Sequence, residues 1–134
     1  MKVEAIVGVD EALGERLRAG GIFTVTDLLE KGGSRSGRAA LARIVDVDEA
    51  TILDWVGAAD LMRVEGIGPE YAELLRAAGV ASPPELAQRD PGHLAAAVAE
   101  AAAIATDPVG RLPSAVEIGS WISEAAGLPA AVTH

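Results

Sequence analysis

Gly66-Ile67-Gly68-Pro69 is the first group of residues whose types and spacing could do chemistry. Two glycines flanking one apolar residue allow a sharp reversal, because glycine takes φ > 0 without the steric penalty that a Cβ imposes. A proline at the first position of the following helix loses nothing, since the N–H it lacks has no intrahelical partner there. Amides exposed at such a turn, reinforced by the helix dipole, attract anions, so the chemistry on offer is the gripping of a nucleic-acid phosphate. Lys31-Gly32-Gly33-Ser34-Arg35-Ser36-Gly37-Arg38, with Arg43 downstream, is the second group and holds four of the eleven basic residues. Its glycines and serines stand just before a helix. Lys31, Ser34, Arg35, Arg38 and Arg43 are therefore candidate contacts for a phosphate or for a partner's acidic patch. The competing reading is a solvated loop between helices.

Catalytic arrangements are not legible. His93 stands alone in the first turn of a helix and His134 closes the sequence. No His-x-x-x-His or paired His and carboxylate spacing suggests a metal site. Asp46, Asp48 and Glu49 cluster where a helix starts, where acids favour the dipole and cap amides. Serines fall in caps or loops, with no histidine placed to activate them. Gly32 to Gly37 is glycine-rich, but has no preceding strand and no Gly-Lys-Ser/Thr ending, so it is not a P-loop. The chain has no cysteine, which removes disulfides, thiolate chemistry and zinc ribbons. The expectation is a non-enzyme with no catalytic residue, no metal and no cofactor.

The elements that must position the turn come from a repeat. Shifted by 58 residues, Ile6-Val7-Gly8-Val9-Asp10 lies over Val64-Glu65-Gly66-Ile67-Gly68, and Leu17 to Ile22 over Leu75 to Val80. Thr24 to Asp27 lies over Ser82 to Glu85, both capping boxes. Near its end the repeat resumes with a shift of 66, where Ile52, Trp55, Val56 and Ala59 match Ile118, Trp121, Ile122 and Ala125. Both sets have i, i+3, i+4, i+7 spacing, one apolar face of a helix. So one helical unit occurs twice, with about eight residues inserted in the second copy, and such self-similarity governs the fold. Each unit reads as a helix-hairpin-helix, with Gly8, Val9 and Asp10 forming a degenerate first hairpin and Gly66, Ile67 and Gly68 an intact second one. Matching places for the two tryptophans predict core positions, each packed on its own hairpin.

The map is all helix. Helices are expected over about Lys2–Ile6, Asp10–Ala19, from Thr24 to before Gly32, over Ser36–Val45, and from an Asp48 cap towards Val64. In the second unit they are expected over Pro69–Ala78, Pro83–Gln88, from an Asp90 cap through an Ala-rich run, and from the box at Ser114 and Glu117. A loop is expected over Thr106–Pro113. No segment shows sustained period-2 alternation, so no sheet is expected. The fold class is all-α, with two tandem helix-hairpin-helix (SAM-like) units of about nine to ten short helices in total. Residues 1–62 form the first unit, 63–128 the second, and 129–134 a tail expected to fray.

The hairpin units, the Trp-bearing last helix, the run Ala58 to Arg63, the segment Glu85 to Arg89, Gly37-Arg38 with Leu41, and Arg111-Leu112-Pro113 together resemble the family catalogued as domain of unknown function 4332, DUF4332. The resemblance covers nearly the whole chain. It implies a helix-hairpin-helix relative and supplies no activity. More distantly, each unit is similar to the helical C-terminal domain of the bacterial RNA polymerase alpha subunit, which touches both DNA and protein. Asp10 stands where the second hairpin glycine belongs, and Glu70 where DNA-binding members often carry Lys or Arg.

Charge weighs the partners. Formal net charge is −9, whereas DNA affinity rests on clustered Lys and Arg that release counterions. Asp60, Glu65, Glu70 and Glu73 outnumber Arg63 and Arg76 around the second hairpin, and Asp10 and Glu70 are each placed to satisfy the helix-start amides of their own hairpin internally. The leading expectation is a binding or adaptor module for another protein. The alternative is sequence-independent DNA binding through hairpin amides and the 31–43 segment. No basic-then-apolar leader opens the sequence, and the longest apolar run, Ala95 to Ala105, is broken by Glu100 and too short to span a bilayer. A cytoplasmic protein with no membrane partner is expected, and the preference for Arg over Lys fits a GC-rich bacterial genome.

Overall fold

Helix boundaries follow the caps. The computed structural model describes residues 1–106 and 110–134, and the part of the expected 106–113 loop at 107–109 lies outside the described residues. Among the described residues there are eight α-helices, one short 3-10 helix and no strand. The 3-10 helix spans Val3–Ala5. Helices α1 (Glu11–Ala19), α2 (Val25–Gly32), α3 (Arg35–Val45) and α4 (Glu49–Leu61) follow. Then come α5 (Pro69–Ala77), α6 (Pro83–Ala87), α7 (Pro91–Ile104) and α8 (Ala115–Gly127). Thr24 and Ser114 complete reciprocal boxes with Asp27 and Glu117. Asp10, Ser34, Ser82 and Asp90 each accept the N3 amide of their helix, satisfying one of the donors every helix start leaves over. At Ser82 the reciprocal arm reaches one residue further back, since the Glu85 carboxylate accepts from the Ala81 N–H at 2.6 Å.

The chain divides into two compact units, Met1–Asp60 with Pro129–His134, and Leu61–Leu128. In the first, α3 packs on α1 and α2, around Ile6, Leu17, Ile22, Leu28, Leu41, Val45, Ile52 and Trp55. In the second, α8 packs on α6 and α7, and α5 on α7, around Val64, Ile67, Leu75, Val80, Leu86, Leu94, Ile118 and Trp121. Backbone hydrogen bonds repeat at the 58-residue shift. The Val9 N–H donates to Ile6 O as Ile67 does to Val64 O, at 3.0 and 3.1 Å. The Ile22 N–H donates to Leu17 O as Val80 does to Leu75 O, both at 2.9 Å. α3 has 11 residues and α7 has 14, which accounts for part of the insertion.

The first glycine of each turn is fixed by two constraints at once. Gly8 and Gly66 have φ of +100° and +94°. A Cβ on Gly8 would stand 3.2 Å from Trp55 Nε1, and one on Gly66 would stand 3.0 Å from Trp121 Nε1. Each tryptophan is 4% exposed, so the indole lies under the turn of its own unit. Gly68, by contrast, caps α5 at φ −95° with no side-chain cap, and a Cβ there meets nothing within 4 Å. Gly66→Ala is expected to destabilise the chain by about 1–2 kcal/mol through the left-handed backbone alone, and further by displacing the indole. Gly68→Asp installs the cap that Asp10 supplies in the first unit and is expected to stabilise by a few tenths of a kcal/mol. Urea unfolding of the two variants checks both signs.

The tail corrects an expectation. Pro129–His134 does not fray but belongs to the first unit. The Thr133 N–H donates to Gly33 O at 2.8 Å, and Arg38 Nη2 donates to Thr133 O. A terminus stays ordered when its backbone polar groups find partners, and these two bonds satisfy both groups of one residue.

Candidate binding surfaces

The two turns carry different electrostatics. In the first, Gly8 is exposed, Val9 is buried and Asp10 is exposed. The Asp10 carboxylate accepts the Leu13 N–H at 2.8 Å, so an internal anion occupies the start of α1. In the second, Gly66 is exposed and Ile67 is 4% exposed. Glu70 does not satisfy the turn amides as expected. Its Oε1 accepts from the Gly110 N–H at 3.4 Å. Glu124 of α8 accepts the Glu65 N–H instead, at 2.9 Å. Its partner lies 59 residues away, and no local pattern marks it.

Loop closure in the second unit depends on Arg111. Its carbonyl accepts the Tyr71 hydroxyl at 2.7 Å. Its guanidinium grips Glu117 with two bonds of 2.7 and 2.9 Å. The Tyr71 ring lies 5.3 Å from that of Trp121, within the range of favourable aromatic pairs. Hydrogen bonds from Arg111, then from the Ser114 N–H, hold the Glu117 carboxyl at about 2, well below its ordinary value. A depressed folded-state value adds stability that is fully present above the unfolded value of about 4.5 and lost as pH falls through about 2. The difference in melting temperature between the protein and Glu117→Gln is therefore expected to be full at pH 7 and to shrink between about pH 4.5 and 2. A difference that stays constant over that window would contradict the linkage. In the first unit the Asp27 carboxyl is lowered for the same reason, by the Phe23 and Thr24 N–H groups.

The basic segment is split by the fold. Lys31, Arg35 and Arg43 are exposed. Ser34 is spent on the Gly37 N–H as the cap of α3. Arg38 is 5% exposed, and its Nη1 donates to Gly32 O and Gly33 O, each at 2.9 Å. With the bond to Thr133, its guanidinium serves three main-chain carbonyls. Beside it opens a cleft of about 340 Å³ lined by Arg35, Arg38, Glu49, Ala50, Leu53 and His134. Among the described residues no three His, Cys, Asp or Glu side chains converge to hold a metal ion, and no helix is long and apolar enough to cross a membrane. His93 is largely exposed, with its Nδ1 3.9 Å from Asp90.

Phe23 was not singled out from the sequence. It is 54% exposed, although it sits on an ordered edge where Val3 donates to Phe23 O and Val25 to Met1 O, each at 3.0 Å. Met1, on the same edge, is 69% exposed. The signal was available in the repeat, where Phe23 lies over Ala81.

The family described as domain of unknown function DUF4332 matches residues 7–128. The chain belongs to that family. No curated protein and no solved structure matches it. The DUF4332 match spans both turns, both tryptophans and the basic segment, and stops short of the tail that returns to the first unit.

Proposed function

We propose that this DUF4332 protein is a non-enzymatic, cytoplasmic binding module for another protein, with its two glycine turns acting as helix-hairpin-helix architecture. The observation that carries the reading is Phe23, the one phenylalanine of the chain, held half-exposed beside Met1 on an ordered edge of the first unit. Aromatic side chains concentrate where partners dock, and the matching place in the second unit holds alanine. Two further facts support it over the DNA alternative. Burial of Arg38 removes the central cation from the basic segment, and a net charge of −9 opposes accumulation on phosphate backbones.

The test is anisotropy of labelled duplex and single-stranded DNA against the purified protein, titrated from low to physiological salt, beside affinity capture on the protein and on Phe23→Ser. No DNA binding at low salt is expected, together with a protein retained by the unaltered chain and lost on Phe23→Ser. DNA binding that weakens steeply with salt, and disappears in a Lys31→Ala/Arg35→Ala/Arg43→Ala variant, would overturn the reading in favour of DNA.

A further inference from the structure

The elbow between α2 and α3 holds the main chain of the tail. Gly33 presents its carbonyl, which accepts the Thr133 N–H at 2.8 Å, while Arg38 supplies a donor for Thr133 O. One residue of the tail is thus clamped by both of its main-chain groups, and its hydroxyl also donates to Gly33 O at 3.4 Å. Gly33 permits the approach, because a Cβ there would stand 2.5 Å from Ala131 O, nearer than non-bonded atoms come. Its φ of −66° is ordinary for any residue, so the clamp and the local helix geometry are what a side chain there would meet. The Arg38 side chain is itself more than nine-tenths buried and pinned by Gly32 O and Gly33 O, so its remaining donor edge is held in place before any segment arrives. His134 lines the adjoining cleft of about 340 Å³, where Arg35 and Glu49 offer one charge of each sign around Ala50 and Leu53.

We propose that this elbow is a docking groove for an extended segment of a partner protein, and that residues 129–134 occupy it in cis until they are displaced. The segment it fits has a hydroxyl residue at the clamped position, as Thr133 donates to Gly33 O, and a following side chain at the cleft, as His134 lines it. Main-chain pairing gives affinity and the cleft gives specificity, as in other strand-capturing sites. The tail competes at the high effective concentration of a tethered ligand, so a partner must outbid it with contacts that the tail does not make. The proposal rests on the protein-binding reading above but uses a different surface from Phe23, so the two fail separately.

The experiment uses the full chain and a fluorescent peptide of sequence Leu-Pro-Ala-Ala-Val-Thr-His, residues 128–134. Thr133→Pro removes the N–H that the tail donates to Gly33 and is expected to bind the peptide at least tenfold more tightly than the unaltered protein. Adding Gly33→Ala to Thr133→Pro is expected to abolish that binding. Equal affinities for the unaltered and Thr133→Pro chains, or binding indifferent to Gly33→Ala, would overturn the proposal. A second measurement needs no variant. In the isotopically labelled unaltered chain, saturating peptide is expected to shift the amide resonances of residues 31–38 and 129–134, and an unchanged spectrum there would overturn the proposal as well. A concentration-dependent dimer of the unaltered chain, lost in Gly33→Ala, would assign the groove to a second copy and likewise overturn it.

Discussion

Trp121→Ala is expected to destabilise the protein by about 3–5 kcal/mol, the range for removing a large aromatic from a packed core. The indole is 4% exposed and stands under the Gly66 turn on one side and beside the Tyr71 ring on the other. Truncation leaves a cavity bordered by a glycine that cannot move in to fill it and by a tyrosine whose hydroxyl is tied to Arg111 O. The site therefore collapses poorly, which places the loss towards the upper end. For a unit of this size each kcal/mol lowers the melting temperature by about 4–8 °C. Trp121→Phe keeps a ring against Tyr71 and is expected to cost much less. Urea unfolding followed by far-UV circular dichroism measures both. A loss below about 1 kcal/mol for the alanine variant would mean that the indole does not carry the turn. Trp55→Ala tests the same device in the first unit, where Gly8 takes the place of Gly66.

That prediction could be framed from the sequence in part. The Trp positions recur at the 66-residue shift with Ile52 and Ile118 on the same face, and all four are buried. Helix starts were legible for a chemical reason. Thr24, Ser82, Asp90 and Ser114 are side chains whose preferred bond is to an amide three residues on, and each makes it. Information of that range is carried by the local chain. What was not legible is long-range pairing of polar groups. Arg38 reads as a candidate anion contact because its neighbours in sequence are glycines, serines and other cations. Its partner Thr133 lies 95 residues away, and nothing in either segment announces the other. Glu124 and Glu65 are the same case at 59 residues. Periodicity reports which face is apolar and cannot report which carbonyl a buried guanidinium will find.

Arg38→Ala is the second large effect, and it separates two uses of one side chain. If Arg38 served a phosphate, its removal would leave stability unchanged and weaken DNA binding. In this fold it holds Gly32 O, Gly33 O and Thr133 O. Each buried carbonyl left without a donor costs about 1–3 kcal/mol. Two of the three lie at the buried elbow, whereas Thr133 is exposed and can turn to water. The expected loss is about 1–3 kcal/mol from Gly32 O, because Gly33 O also accepts the Thr133 N–H, with protection of the Thr133 amide against hydrogen exchange reduced as the tail loses its second anchor. Arg38→Lys keeps the charge but replaces a planar fork by a single ammonium. One ammonium cannot reach the paired glycine carbonyls on one edge and the tail carbonyl on the other, so lysine is expected to recover part of the stability and little of the Thr133 protection. Full recovery by lysine would mean that charge alone matters at this site, and the three-carbonyl geometry would then be incidental to the tail.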